Sequence, residues 1–425
     1  MNILMMTNTY KPLIGGLEKS VETFTKEYRK LGHRVIIVAP VFENMKPEED
    51  VVRIPAIQNF NGTDFSVQLP VPGVLSEALG DFIPDIVHSH HPFLVGDTAL
   101  RVAHKHNVPM VFTHHTLYEQ NLHYVPGDSE ALKRFVIQLS SGYANLADLV
   151  FAPSESVMDL LKERGVETPI EVVPTGIDVR RFSRGDERTV RTQLGIPQDV
   201  FVVGHLGRLS PEKNLEFMSE AVALFLRKNP RVHFLLAGKG PSEPAVISLF
   251  KKYGVSERLH LTGPVTGETL VQTYHAMDVF VFTSQSETQG LVLVEAMACG
   301  VPVVGVDASG VRDVIVDRVN GRLLPRQQTD DLTRALEWMA ERSSEELEKI
   351  TEACLNTAET FSIEKTVRRA LDIYGSLALS HQRFVRRVSE DSVWAQTRRM
   401  IQAHWELTKN LTKATTEAIL KTPEH

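Results

Sequence analysis

The sequence predicts two doubly wound α/β domains followed by a helical extension, and three observations carry that prediction. A chain of 425 residues exceeds what a single hydrophobic core usually organises. Short apolar runs bounded by turn residues alternate with segments of helical periodicity, which implies parallel strands joined by crossover helices. The alternation then starts again near the middle of the chain. In the first set, strands are expected at residues 3–6, 35–39, 85–88, 110–113 and 149–152, with helices at 17–31 and 132–147 among the segments between them. The second set comprises 201–207, 232–237, 259–263, 279–282, 301–306 and 323–324. Between the sets lies Val173-Pro174-Thr175-Gly176-Ile177-Asp178, where proline and glycine punctuate the chain. Beyond residue 361 no strand pattern remains, and the last part, from 380 to 420, reads as added helix.

Composition narrows the classes of function. Hydrophobic residues at 42% and charged residues at 23% match ordinary folded proteins and exclude a disordered or fibrous chain. A formal charge of −7 gives no global attraction for nucleic acid, and none is expected as a partner. The two cysteines, Cys299 and Cys354, are too few for a disulfide framework or a zinc cluster and fit a reducing compartment. The apolar start runs into Thr7, Asn8 and Thr9 without the basic region, long apolar stretch and cleavage site of a signal peptide, so it reads as a first strand. No stretch reaches the roughly 18 uninterrupted apolar residues of a transmembrane helix. A cytoplasmic protein is expected, with any membrane contact peripheral.

Doubly wound folds bind ligands beyond the carboxyl ends of their strands, so the loops that follow strands carry the functional reading. After the first strand, Gly15 and Gly16 precede an amphipathic helix, where backbone N–H groups can approach a phosphate. The G-x-G-x-x-G spacing of a dinucleotide site is absent. The second domain opens with Gly207-Arg208-Leu209-Ser210-Pro211-Glu212-Lys213-Asn214. Arg208 supplies a planar fork and Lys213 a mobile point charge, a pair suited to clamping a diphosphate. A third loop, Ser284-Gln285-Ser286-Glu287-Thr288-Gln289-Gly290, runs into Leu291-Val292-Leu293-Val294-Glu295. Helix-start amides near Gln289 and Gly290 would face an anion, and Glu295 interrupts an otherwise apolar helix. A nucleotide fits this pattern, with its phosphates at the amides and cations, its ribose hydroxyls donating to Glu295, and Glu287 facing a sugar.

The Glu287-to-Glu295 segment resembles the E-x7-E signature of glycosyltransferase family 4, retaining enzymes of the GT-B fold. In register with it, the Gly15-Gly16 loop, Pro174-Thr175-Gly176-Ile177-Asp178 with Phe182, Gly207-Arg208 with Lys213-Asn214, and Glu295-Ala296-Met297-Ala298-Cys299-Gly300-Val301-Pro302 resemble the family's pattern. The resemblance implies two Rossmann-like domains facing each other across a cleft. Residues 1–175 would bind the acceptor, 176–360 the nucleotide sugar, and 361–425 would form C-terminal helices whose first part returns to the N-terminal domain. Arg208 and Lys213 would hold the donor diphosphate, Glu295 the ribose and Glu287 the donor sugar. Thr288, Gln289, Gly290, Leu291 and Val292 would line the donor site together with Gly15 and Gly16. No cofactor or metal is expected besides the nucleotide-sugar donor.

The first domain is dense in histidine beyond its strands: His88, His90 and His91, then His114 and His115, with His123 following. Such density also suits a zinc site, since histidine is the commonest metal ligand. The family resemblance instead sets His115, in Thr113-His114-His115-Thr116, against the donor sugar and counts it as catalytic with Glu287, Arg208 and Lys213. His90, His91, His114 and Tyr118 are the acceptor-side candidates.

Within family 4, His90-His91-Pro92-Phe93-Leu94-Val95-Gly96, Thr113-His114-His115-Thr116-Leu117-Tyr118 and Glu287-Thr288-Gln289-Gly290 look most similar to bacterial 1,2-diacylglycerol 3-glucosyltransferases. Gln289 stands where many family members have an aromatic residue. The resemblance implies transfer of glucose from UDP-glucose to diacylglycerol at the inner face of the cell membrane, the leaving diphosphate oxygen helping to deprotonate the attacking hydroxyl. Segment 132–139, amphipathic and partly basic, is one candidate for contact with an anionic membrane. The other is the extension, with Arg383, Arg386, Arg387, Arg398 and Arg399 beside Trp394 and Trp405. The alternatives are a soluble sugar or cyclitol acceptor, a nucleotide-sugar epimerase, and a non-catalytic nucleotide-sugar-binding protein of the same fold.

Overall fold

Nearly continuous apolar runs such as Ile-Leu-Met-Met after Asn2 and Val-Ile-Ile-Val after Arg34 are what strands buried on both faces of a parallel sheet require. The computed structural model describes residues 1–13, 15–42, 48–57, 67–68, 72–120, 129–388 and 393–420. It divides into two units, Met1–Thr175 with Thr366–His425, and Gly176–Lys365.

The first unit begins with β1 (Asn2–Met6), α1 (Gly16–Lys30), β2 (Arg34–Pro40) and β3 (Val51–Ile54). Two-residue strands β4 (Ala56–Ile57) and β5 (Val67–Gln68) then pair antiparallel outside the main sheet. They are followed by α2 (Pro72–Leu79), β6 (Ile86–Ser89), α3 (Val95–His106), β7 (Met110–Thr113), α4 (Glu130–Ala144), β8 (Leu149–Ala152), α5 (Glu155–Glu163) and β9 (Ile170–Val172). One all-parallel sheet runs β3-β2-β1-β6-β7-β8-β9, its order reversing between β1 and β6. Alternate strand residues Leu4, Met6, Val38, Val87, Phe112 and Val150 share a core with Ala99, Leu100 and Ala103 of α3 and with Tyr143 and Ala144 of α4. On α1, Val21, Phe24 and Tyr28 form one buried stripe at helical spacing.

The second unit contains α6 (Val179–Phe182), α7 (Glu187–Gln193), β10 (Phe201–Leu206), α8 (Leu215–Lys228), β11 (Val232–Ala237), α9 (Glu243–Lys252) and β12 (Leu259–Gly263). It continues with α10 (Gly267–His275), β13 (Val279–Phe282), α11 (Leu291–Ala298), β14 (Val303–Val306), β15 (Gly321–Leu324), α12 (Thr329–Ala340) and α13 (Ser344–Thr360). Its parallel sheet runs β12-β11-β10-β13-β14-β15 and reverses between β10 and β13. Met218, Val222 and Phe225 of α8 and Leu332 and Leu336 of α12 pack with Val203, Phe234 and Val281. A second cluster joins Phe280, Phe282 and Val303 to Tyr274 of α10, Leu293, Ala296 and Met297 of α11, and Cys354 of α13. Ser343 and Glu346 close a reciprocal capping box at the start of α13, which satisfies two backbone donors at its first turn.

Helices α14 (Ile363–Val388) and α15 (Val393–Leu420) end the chain, and from Thr366 onward they belong to the first unit. Tyr374 of α14 is fully buried there. Ala403, Leu407, Asn410 and Ala414 of α15, spaced by four, three and four, turn towards α3 and α4, with Ala403 and Leu407 joining the first unit's core. Asn410 Nδ2 donates to the Leu139 carbonyl at 3.1 Å, and Arg134 Nη2 to the Ala418 carbonyl at 3.4 Å. Segment 132–139, expected as a membrane-facing surface, therefore carries α15 along it and is half-buried throughout. His123 lies outside the described residues, as do the side chains of Arg386, Arg387 and Trp394. No helix among the described residues is long and apolar enough to cross a membrane.

One polar clasp in the second unit is buried on its cationic side. Arg191 of α7 donates through Nε to the Ala276 carbonyl, through Nη1 to those of Gln198 and Val200, and through Nη2 to Asp278 at 2.9 Å. Asp278 also accepts the Val202 amide at 2.6 Å, so one pair ties α7 to the entries of β10 and β13. Arg191→Ala strips these carbonyls and the carboxylate of their donor and is expected to destabilise the unit by about 3 kcal/mol. Urea unfolding of the whole chain should show an earlier transition for the variant.

Candidate active site

At the reversal of the second sheet, successive crossovers leave on opposite faces and expose the carboxyl ends of β10 and β13 to a ligand. Beyond β10 the chain runs through Gly207 and Arg208 into a 3-10 turn at Pro211–Lys213. Beyond β13, Thr283 Oγ1 donates to the Lys213 carbonyl at 3.0 Å and Ser284 Oγ to that of Glu212 at 3.3 Å. The two loops are thereby fixed to each other. Lys213 Nζ lies 3.2 Å from Glu287 Oε2, both side chains about one-fifth exposed. Arg208 is far more open and lies 3.2 Å from Glu212. Such half-solvated pairs add little to stability, so what they set is position.

Glu295 is 2% exposed on α11, and its Oε2 accepts the Tyr274 hydroxyl at 2.9 Å. Burial first, and the Glu295 charge second, push the Tyr274 hydroxyl well above its ordinary pKa, which keeps it a donor to that carboxylate. Gln289 is buried and Gly290, in the left-handed region, leads into α11, whose first amides have no intrahelical acceptors.

Two glycines absent from the sequence-based list shape these loops. Gly310, at φ 75°, lies against the Thr288–Gln289 peptide so closely that a Cβ would sit 2.6 Å from the Gln289 nitrogen. Gly238, at φ 143°, lies against Gly207, where a Cβ would come within 1.9 Å of its carbonyl oxygen. Both follow strands, which is the signal that could have found them. His205 was also passed over. Buried at the end of β10, it donates Nδ1–H to the Val281 carbonyl at 2.9 Å and brings beside Gly207 an Nε2 that has no partner among the described residues.

In the first unit the sheet reverses at β1 and β6, and the histidines lie there and beyond β7. The Asn8 amide donates to His91 Nδ1 at 3.1 Å, so the His91 proton is on Nε2 and this ring clips the end of β1 to that of β6. His90 and His115 meet directly, Nδ1 to Nε2 at 2.8 Å. His114 packs edge-on against Phe112 and Tyr118, and neither of its ring nitrogens has a partner among the described residues. Tyr118 also packs edge-on against Phe93. Of the four acceptor-side candidates, His90 thus joins His115, His114 joins Tyr118, and His91 holds strand ends together. Gly15 caps α1, and Gly16 opens it with nothing within 4 Å of where a Cβ would stand. Among the described residues, no three His, Cys, Asp or Glu side chains converge as a metal site needs.

A cation turn locked to a carboxylate loop, with a second carboxylate held in the helix behind it, is the equipment for a sugar attached to a nucleoside diphosphate. On two Rossmann-like sheets it defines a GT-B glycosyltransferase. The profile of glycosyl transferases group 1 matches residues 186–356, and that of Glycosyltransferase Family 4 matches residues 14–181. The chain belongs to glycosyltransferase family 4. It is 29% identical over 330 residues to the alpha-monoglucosyldiacylglycerol synthase of Streptococcus pneumoniae, covering 76% of this chain and 75% of that protein. It is 32% identical over 303 residues to the D-inositol 3-phosphate glycosyltransferase of Saccharomonospora viridis, covering 68% and 69%. Among solved structures, sucrose-phosphate synthase of Thermosynechococcus elongatus superposes with a TM-score of 0.74 at 19% identity, over 89% of this chain and 99% of that one. Anabaena HepE in complex with UDP-glucose gives 0.67 at 21% identity, over 89% and 100%.

Burial pushes His91, His114 and His115 down to about 3 and holds His88 and His90 well below the ordinary value of 6.5. Below 6.5 the unfolded chain takes up protons that the folded chain refuses. The stability these neutral rings confer is therefore complete above that pH and is lost as pH falls towards 3. Thermal unfolding followed from about pH 7 to pH 4.5 should show the first unit weakening, with a shallower decline for His114→Leu.

Proposed function

We propose that the protein transfers glucose from UDP-glucose, with retention, to the hydroxyl of diacylglycerol at the cytoplasmic face of a membrane. The observation that carries the donor half is the Lys213–Glu287 contact at the β10/β13 reversal, with Glu295 anchored behind it. Arg208, Lys213 and the first amides of α11 take the charge that develops on the leaving diphosphate, as preorganised donors do. Glu295 accepts from the ribose, while Glu287 and His115 face the sugar. Thr288, Gln289, Gly290, Leu291 and Val292 line the donor, and no metal is needed. The departing phosphate oxygen receives the proton of the acceptor hydroxyl, which attacks the face it leaves.

Gly15 and Gly16 are assigned to the donor phosphates, and a Cβ at Gly16 would meet nothing within 4 Å among the described residues, so the helix start has open space beside it. The acceptor reading rests on the likeness to the diacylglycerol-glucosylating relative and on the outer face of α15. There Ile401 and Trp405 are about two-thirds exposed and Leu411 half exposed, among Arg398, Lys409 and Lys413. Basic residues with tryptophan and aliphatic side chains suit an anionic membrane surface. A cyclitol phosphate is the second reading, favoured by the slightly higher identity to the inositol-phosphate transferase.

Incubation with UDP-glucose and diacylglycerol vesicles, beside a panel that includes inositol phosphate and soluble sugars, should yield an α-glucosylated lipid. UDP release only with soluble acceptors would sink the lipid reading and keep the transferase. Lys213→Ala removes one charge-assisted contact to the diphosphate and should lower kcat about 10- to 100-fold with the fold intact. Near-normal turnover in that variant would refute its role.

A further inference from the structure

In the first unit a ladder of buried rings runs from α14 to the loop beyond β7. The Tyr28 and Tyr374 rings meet edge-on with centroids 5.8 Å apart. The Tyr374 hydroxyl lies 2.5 Å from His88 Nδ1, and His88 Nε2 lies 2.6 Å from Thr113 Oγ1. The His88 and His90 rings lie face to face with centroids 4.1 Å apart, tilted by 35°. His90 then stacks on His115 with centroids at 5.1 Å. Tyr28, Tyr374, His88 and His90 are all buried.

Proton bookkeeping along the ladder gives it a direction. Burial raises the Tyr374 phenol and keeps its proton on, and that proton is donated to His88 Nδ1. His88, neutral, then carries its proton on Nε2 and donates to Thr113. Between His90 and His115 one nitrogen must donate and the other accept. His90 Nε2 is buried without a partner among the described residues. Were His115 the donor, that orphan would be an N–H, the rarer and costlier kind of unpaired buried group. With the proton on His90 Nδ1, the orphan is only a lone pair.

We propose that His90 and Tyr374 are positioning residues for His115: His90 donates Nδ1–H to His115 Nε2 and so keeps that ring's own proton on Nδ1, while Tyr374 holds the His88 ring on which His90 stacks. Any other ring contact of His115 is then made as a donor through Nδ1. It supports the sugar by donating a hydrogen bond and does not act as a base. The inference rests on His115 lying at the donor sugar, as proposed above.

The test uses the full chain labelled with 15N-histidine. Long-range proton–nitrogen spectra should show His115, assigned by the signal missing from His115→Asn, protonated on Nδ1 between about pH 6 and 8. His90→Asn keeps an amide donor near the position of Nδ1 and should preserve that tautomer, recovering most of the activity lost in His90→Leu. His90→Leu should shift the tautomer. Tyr374→Phe should alter the His88 signals and lower kcat about 3- to 10-fold at unchanged KM for UDP-glucose. His115 protonated on Nε2 in the parent protein, or unchanged in His90→Leu, would overturn the role of His90. Unaltered His88 signals in Tyr374→Phe would overturn that of Tyr374. Full transfer by His115→Asn would instead remove His115 from the catalytic site while leaving the tautomer result standing.

Discussion

Parallel pairing throughout both main sheets is the constraint on which the site depends. When all strands point one way, every carboxyl end reaches the same edge, and each return helix begins from that edge with unpaired amides. The reversal of strand order then parts the crossovers at one place in each sheet, between β1 and β6 and between β10 and β13. Residues distant in sequence meet there without a dedicated scaffold. Lys213 reaches Glu287 across 74 positions because β10 and β13 are neighbours.

The two edges differ in electrostatic character. The second unit's edge is charged, with Arg208 countered by Glu212 and Lys213 by Glu287. The first unit's edge is a set of imidazoles held neutral by burial, of which His88, His90, His91 and His115 are tied to hydroxyls, a backbone amide or one another. A nucleoside diphosphate carries its charge wherever it goes, whereas an alcohol acceptor brings none. The proposed assignment of donor and acceptor to these edges follows the cost of desolvation: charge is met by charge, and a neutral hydroxyl by neutral rings.

The architecture was legible because interior parallel strands must be apolar on both faces, and such runs stand out. The two edge strands of the first sheet escaped for the same reason. β3 carries Arg53 and β9 carries Glu171, since each has a side that water reaches, and neither makes a continuous apolar run. The loops beyond β10 and β13 were legible as places, because two cations and two carboxylates stand after strands there at fixed spacing. What spacing could not supply is partnership. That Gly310 lies against the Thr288–Gln289 peptide depends on how β14 ends, and that His91 is a clip while His90 touches His115 depends on which backbone amide comes near. The docking of α15 was hidden for a different reason. Apart from Leu407 its inward residues are small or polar, Ala403, Asn410 and Ala414, so no continuous apolar stripe announced a buried face.

Tyr374 meets His88 across 286 positions, and the whole second unit lies between them in the chain. A ribosome adding about 5–20 residues each second needs roughly a quarter of a minute to a minute to cover that distance. Throughout that interval the nascent first unit has its β-sheet but not the last ring of its histidine ladder. The second unit, made of uninterrupted sequence, can finish folding earlier. Synthesis thus delivers the second unit complete before the unit that precedes it in sequence, and Tyr374, which joins the histidine ladder, emerges after it.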